Sequence, residues 1–445
     1  MRPLVPRRTA LAGGAAALAA GLAACGAPTG AGKVNAEAVI PPSDGPVTLS
    51  YWAWLKDLQK VADKFNKTQD RITVNATWIP GGDSGGYAKL LSAVAAGGGP
   101  DIAQVELRAV PEFALAGALT DLARYDFAKD EKNFDPGAFA QIKVGDSLWA
   151  VPQDTGPGAM FYNKDVLEDE LGLNPPKTWD EFRSVAEEVS KAGKTIMTLD
   201  PGDGSVLTFW AMQKGSVWFE PQDDTWVLNM ADDATMEMAE FWDGIFADKL
   251  VSTGYGPFST PWYAAAGAGD VLSYIGGSWG DALIETVPGG KGKWAVSDMP
   301  RWDEGYASGG LGGSSAAVLS TSEHPAEALE FLRWMCTDPE GIDAMIEHCG
   351  IGWSPAADYI GKTREEPSEF FSGQTYNVDV IEPMAEGQNL DWTWAPLMQR
   401  INARLGDGML DVVGGSSTFV KMLPQAQEDI AEIMRKIGLK VEIAK

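Results

Sequence analysis

From residue 47 onward the sequence switches repeatedly between two hydrophobic periods, and that alternation most limits the folds open to it. Val47-Thr48-Leu49-Ser50-Tyr51-Trp52 reads as a strand, and Leu58, Val61, Ala62 and Phe65 then recur at helical spacing. Ile72, Val74, Ala76 and Trp78 alternate with polar neighbours, as strand residues do. Residues 87–96 return to the helical pattern, Gly97-Gly98-Gly99-Pro100 stops it, and 101–105 supply a third strand. Beyond residue 151, strand-like runs at 195–199, 271–275 and 294–299 alternate with helical stretches at 236–246 and 326–335. Thr178 followed by Glu181 predicts a capping box at the start of another helix. The C-terminal part is mostly helical in pattern and closes with a helix over 424–437. Strands alternating with helices predict a parallel α/β sheet. No internal repeat is visible.

Ahead of the first strand lie segments that do not belong to this pattern. Arg2, Arg7 and Arg8 precede a short Ala/Gly/Leu stretch that ends in Leu22-Ala23-Ala24-Cys25. A basic start, a short apolar run and small residues before a cut make a signal peptide, too short to span a bilayer. A Cys directly after Leu-Ala-Ala fits lipoprotein processing, so residues 1–24 are expected to be removed and Cys25 lipidated. Arg7-Arg8-Thr9-Ala10-Leu11 fits a twin-arginine signal, with the general secretory route as the alternative. The rest of 25–46 is rich in Gly, Pro and Ala without an apolar face and reads as a flexible tether. No transmembrane span is evident, so membrane association would rest on the lipid alone.

The 62 acidic and 35 basic residues give a formal charge of −27, and loss of residues 1–24 removes three Arg and makes it −30. Nucleic acid, whose phosphates need a basic surface, is not an expected partner. At 445 residues one core is not expected, and two lobes are the natural arrangement. Cys336 and Cys349 each stand near the end of a predicted helix. In an exported chain they are candidates for a disulfide, two buried thiols being the alternative.

Residues 148–182, LWAVPQDTGPGAMFYNKDVLEDELGLNPPKTWDEF, carry two short strands, a polar break, a helix, Pro175-Pro176 and a further helix start. This run resembles the crossover region of the family 1 extracellular solute-binding proteins, the sugar-binding lipoproteins of bacterial ABC importers. Lys89-Leu90-Leu91 through Gly99-Pro100-Asp101-Ile102 is similar to the family's helix–Gly–Pro–Asp–strand signature. So are residues 258–269 followed by 271–279, the stretch from Met299-Pro300 through Gly309-Gly310 to Ala317, and the helix over 325–334 with EALEFLRW at its centre.

The resemblance covers most of 47–355 in the family's order. It implies a periplasmic-binding-protein-like α/β fold, with two lobes, a ligand cleft and hinge crossings. Lobe 1 would hold 47–153 plus 302–350, and lobe 2 would hold 156–299 plus 355–445. Hinges are expected near 153–156, 299–302 and 351–355, around Gln153-Asp154-Thr155, Met299-Pro300-Arg301 and Trp353-Ser354-Pro355. The implied function is that of a non-enzymatic, monomeric receptor, lipid-anchored on the extracytoplasmic face of the cell membrane. It would capture a sugar, expected to be an oligosaccharide, and deliver it to an ABC permease. The transport ATPase would be a separate chain, since no Walker motif is present.

A sugar offers a ring face of C–H groups and a rim of hydroxyls, so its site needs flat aromatic surfaces with carboxylates, amides or Arg at the rim. Trp52 and Trp54 follow the first strand, and Trp353 lies beside a presumed hinge. The resemblance points to Trp279 and Trp394 as stacking aromatics, while Trp179 and Trp334 read as core. Glu106 past the third strand, Asp154 at the first crossing, Asp83 in the Gly-rich loop 81–86 and Arg400 are the rim candidates, with Asp203 and Trp210 behind them. Loops at strand C-terminal ends are where open α/β sheets bind ligands.

A secreted serine esterase is the competing reading. Gly276-Gly277-Ser278-Trp279-Gly280 satisfies G-x-S-x-G between a strand and a helix, and His324 or His348 follows in the required chain order. Against it, no His precedes 324 to build an HGGG oxyanion loop, and 51 glycines make such short patterns common. Two separated His and no thiol cluster give no metal site, and no cofactor is expected.

Overall fold

The computed structural model describes residues 39–222, 224–359 and 365–444. The signal segment, Cys25 and tether residues 26–38 lie outside them, as does the side chain of Asp83. The strands that position the site are β1 (Val47–Ala53), β2 (Ile72–Trp78), β3 (Ile102–Glu106), β4 (Val151–Pro152), β5 (Gly158–Asn163), β6 (Ser273–Gly277), β7 (Trp294–Ser297) and β8 (Ser314–Val318).

The first sheet runs β2-β1-β3-β8-β4. β1 pairs in parallel with β2 from Val47–Ile72 to Ala53–Trp78, and with β3 at Tyr51–Ile102. β8 lies antiparallel on β3 with Ser314 opposite Glu106. The second sheet, β6-β5-β7, is antiparallel throughout. In these two sheets the expected parallel pairing is found among β1–β3, where helices Leu58–Asn66 and Gly86–Ala95 supply the crossovers a parallel pair requires; elsewhere Lys440–Ile443 pairs in parallel with Thr225–Leu228. The strand expected at 195–199 is reduced to two bridges, Thr195 to Val271 and Thr198 to Ser252. β5, central in its sheet, is buried at every position, as a strand covered on both faces must be.

Two separate hydrophobic cores follow from the two sheets. One draws on 47–151 and 316–351, with Leu49, Val61, Phe65, Val105 and Phe331 among its members. The other draws on 159–299 and 371–441. Six tryptophans, Trp179, Trp210, Trp218, Trp242, Trp262 and Trp294, are fully buried in this second core. Trp210 and Trp242 stack with centroids 3.5 Å apart and planes 10° from parallel. Much of the tryptophan content thus does packing work, and each such ring stabilises the lobe by about 3–5 kcal/mol against truncation to Ala. Trp210, a secondary site candidate in the sequence, belongs to this core.

The chain crosses between cores in adjacent connections. Residues 153–158 run against 309–314: Gln153 N–H donates to Ser314 O, Leu311 N–H to Gly156 O, and Gly158 N–H to Gly309 O. The second crossing is therefore at 309–314 and not at Met299-Pro300-Arg301. Trp302 packs against Trp179 and Phe241, and Tyr306 N–H donates to Gln213 O, which keeps 299–308 on the second core. Near the third crossing, Trp353 O accepts from Thr155 N–H, while Ala357 N–H donates to Asn133 O. Contact with the first lobe thus persists past residue 355.

The end of the tether is pinned. Ile40 N–H donates to Tyr125 Oη at 3.0 Å, Ser43 N–H to buried Glu327 Oε1 at 2.6 Å, and Ser43 Oγ meets His324 Nδ1 at 3.0 Å. A buried carboxylate needs such partners, which is why the described part of the 25–46 segment is held and not loose.

Cys336 and Cys349 are free thiols, so the expected bridge is not made. Cys336 is buried in the first core and Cys349 packs against it. Burial pushes both thiols up, that of Cys349 to about 12, which leaves them protonated small hydrophobes.

Candidate ligand-binding cleft

Between the two cores lies a cleft of about 850 Å³. Its first-lobe wall is the C-terminal end of β3, with Glu106 and Arg108, and Ser84 from the loop after β2. The crossing segment Gly310, Leu311 and Gly312 closes one side. The second-lobe wall combines Thr198, the loop Asp200 to Gly204, Phe258, Tyr274 on β6, Trp279, Trp394, and Gln399 with Asn402 on helix Met398–Val413.

Glu106 and Arg108 form a fixed pair. Glu106 Oε2 accepts from Tyr87 Oη at 2.7 Å and from Arg108 Nη2 at 2.7 Å. Tyr87 is in turn held edge-on between Trp54 and Phe113. On the other side Trp279 donates its indole N–H to Leu311 O at 2.7 Å, and Phe258, Tyr274 and Trp279 pack in a tilted cluster with centroids 4.7–6.1 Å apart. Trp394 Nε1 donates to Gln141 Oε1 at 2.8 Å, a bond that reaches from the second core to a helix of the first, Pro136–Gln141. Gln399 N–H reaches Glu112 Oε2 at 3.3 Å, also across the cleft. Phe258 and Leu397 hold left-handed backbone at φ 61° and 71°, each a strain of about 1 kcal/mol or more sustained by packing.

The cleft's polar inventory is its most informative property. Thr198 Oγ1, Tyr274 Oη, Gln399 Nε2 and Asn402 Oδ1 are buried atoms without a protein partner. Buried polar atoms are ordinarily paired, and these four, two hydroxyls, one amide donor and one carbonyl acceptor, give the cleft wall both donors and acceptors that the protein itself does not use. Two glycines let the second-lobe wall assemble. A Cβ on Gly204 would lie 2.4 Å from Asn402 O, and one on Gly406 would lie 2.4 Å from Gly202 O. The loop 200–204 therefore packs backbone against the helix that bears Asn402.

Of the residues singled out in the sequence, Glu106, Trp279, Trp394 and Asp203 line this cleft. Trp52 lies beneath Lys89 Nζ at 4.4 Å, Trp54 edges onto Tyr87, and Trp353 packs on Tyr359 at 5.1 Å. None of these three is among the lining residues, and neither is Arg400, which is exposed. Asp154 lies at the first crossing, where its carboxylate accepts from Ser314 N–H; burial, with a smaller contribution from Glu106, raises its pKa from 3.8 to about 6. Tyr274, Gln399, Asn402 and Thr198 escaped the sequence reading because hydroxyls and amides carry no signal until the fold removes their partners.

The esterase constellation is not assembled. Ser278 is buried, its Oγ has no partner, His324 faces Ser43, and His348 Nδ1 lies 3.9 Å from its own neighbour Glu347. Among the described residues, no group of three or more His, Cys, Asp and Glu side chains is placed to hold a metal ion. No helix among them is long and apolar enough to cross a membrane.

Comparison with known proteins bears on the family and the fold. The family model described as bacterial extracellular solute-binding protein matches residues 52–341. A lactose-binding protein of Rhizobium radiobacter is 31% identical over 263 residues, 56% of this chain; the match spans 61% of that relative's length. An arabinooligosaccharide-binding protein of Bacillus subtilis is 29% identical over 373 residues, 80% of this chain and 82% of its own. The solved galacto-N-biose-/lacto-N-biose I-binding protein of the ABC transporter from Bifidobacterium longum, in complex with lacto-N-biose, superposes with a TM-score of 0.80 at 27% identity. That match covers 90% of this chain and all of that one. The fold is the two-lobed, periplasmic-binding-protein-like one.

Proposed function

Because this chain belongs to the bacterial extracellular solute-binding protein family, we propose that it captures an oligosaccharide between its lobes and hands it, chemically unaltered, to an ABC permease. The observation that carries this reading is the cleft itself: four unpartnered donors and acceptors set beside aromatic faces. A sugar matches both, its hydroxyls donating and accepting in turn and its C–H face packing on rings. The relatives named for lactose and arabinooligosaccharides support the substrate class. Glu106, Trp279 and Trp394 contact the ligand, and the lobes close about the paired segments 153–158 and 309–314. Lipidation at Cys25 holds the protein, as a monomer, at the outer face of the membrane after export by a twin-arginine or general secretory signal.

Calorimetric titration of the purified protein against di- and oligosaccharides tests this directly. Micromolar capture, about −8 kcal/mol, is expected for at least one neutral sugar, and the sugar is recovered intact. Trp279→Ala should weaken binding about tenfold or more, whereas Ser278→Ala should not matter. Recovery of cleaved sugar, or no binding across the panel, overturns the proposal.

A further inference from the structure

The charged side chains among the cleft's lining residues are Glu106, Arg108, Asp200 and Asp203. The guanidinium is already engaged, since Arg108 Nη2 sits 2.7 Å from Glu106 Oε2. Asp200 and Asp203 meet only local donors: Asp200 Oδ1 accepts from Gly202 N–H at 2.9 Å, and Asp203 Oδ1 from Ser205 N–H at 3.0 Å and Ser205 Oγ at 2.6 Å. Neither is paired with a cation among the described residues. The cleft therefore presents two uncompensated negative charges, beside Thr198, Tyr274 and Asn402, each more than nine-tenths buried and each offering an unpartnered polar atom.

Resting on the sugar reading above, we infer that Asp200 and Asp203 make the cleft discriminate by charge, rejecting acidic glycans such as uronates and phosphorylated sugars while admitting neutral and amino-bearing ones. A carboxylate or phosphate entering the cleft would be stripped of water beside like charges, and both effects oppose it. A protonated amine on the sugar meets the opposite field and is drawn in. The field reaches the floor: burial first, and the charge of Asp203 after it, hold the Tyr274 phenol well above the usual range.

The test is titration of the full chain at low ionic strength with lactose and maltotriose, the C6-oxidised uronate of each, and lactosamine. The uronates should bind at least about tenfold more weakly than their neutral parents, lactosamine no more weakly than lactose, and the gaps should narrow as salt is added. In Asp200→Asn/Asp203→Asn, which keeps the local acceptors, the ratio of neutral to uronate affinity should fall towards one. Uronates bound as tightly as their parents overturn the inference while leaving the sugar reading in place. A gap that neither salt nor the substitutions alter is steric and also overturns it. If none of the neutral sugars binds, the sugar reading fails and this inference with it.

Discussion

Tyr274 and Asp154 show how a single buried polar side chain can be costly to the fold, the first in the cleft and the second at the crossing between lobes. The Tyr274 hydroxyl is buried without a partner. Removing it should spare the protein a desolvation penalty of about 1–3 kcal/mol while removing a ligand contact. Tyr274→Phe is thus expected to leave the melting temperature unchanged or higher and to weaken sugar binding about five- to tenfold. A variant that loses stability and keeps affinity would show the hydroxyl to be structural. Asp154 is raised from 3.8 to about 6, mainly by burial, so the folded protein holds its proton more tightly than the unfolded chain does. Below about pH 4 both states carry the proton and the effect vanishes. Between pH 4 and 6 the unfolded chain releases it first, and stability falls by up to about 3 kcal/mol before levelling off. Asp154→Asn should remove that slope, so its advantage in urea midpoint over the parent should grow from pH 4 to 6 and then stay constant.

At the scale of elements, the second-lobe wall depends on the loop 200–204 lying directly on helix Met398–Val413. Gly204→Ala would place a methyl against Asn402 O and Leu405 Cβ, at 2.4 and 2.5 Å. The loop must lift, at a cost of about 1–3 kcal/mol, and it carries Asp203 away from that helix. Both the denaturation midpoint and sugar affinity should fall; loss of neither would mean that the loop can yield without disturbing the site. The capping pattern at Thr178 illustrates how local sequence rules carry through with a change of detail. Thr178 Oγ1 accepts from Glu181 N–H as a cap should, but the Glu181 carboxylate accepts from Lys177 N–H and not from the cap residue. Strand patterning was equally readable for β1–β3. It failed at 195–199, where an apolar run found only single bridges on either side.

For the molecule as a whole, two polar contacts across the cleft bear on closure. Trp394 to Gln141 and Gln399 to Glu112 join the C-terminal segment to helices of the first lobe. Gln141→Ala removes the acceptor of the Trp394 indole, which stabilises the joined arrangement by about 1 kcal/mol. Sugar affinity should then drop about fivefold with little change in the unfolding midpoint of the isolated lobes' cores. Small-angle scattering should show less compaction on adding ligand than in the parent. Equal affinity and equal compaction would mean that this contact plays no part in closure.

What the amino-acid order determined by itself is the alternation of periods and the likeness to a solute-binding family, because each is a local or linear property. From these came the two-lobed α/β fold, and Glu106 and Trp279 at strand ends. The tertiary structure alone decided that the second crossing lies at 309–314 and that Cys336 and Cys349 stay apart. It also buried Trp210 and left Thr198, Tyr274, Gln399 and Asn402 without partners. Those outcomes depend on which surfaces are covered once segments hundreds of residues apart meet, and a polar atom's need for a ligand exists only after packing has excluded water from it.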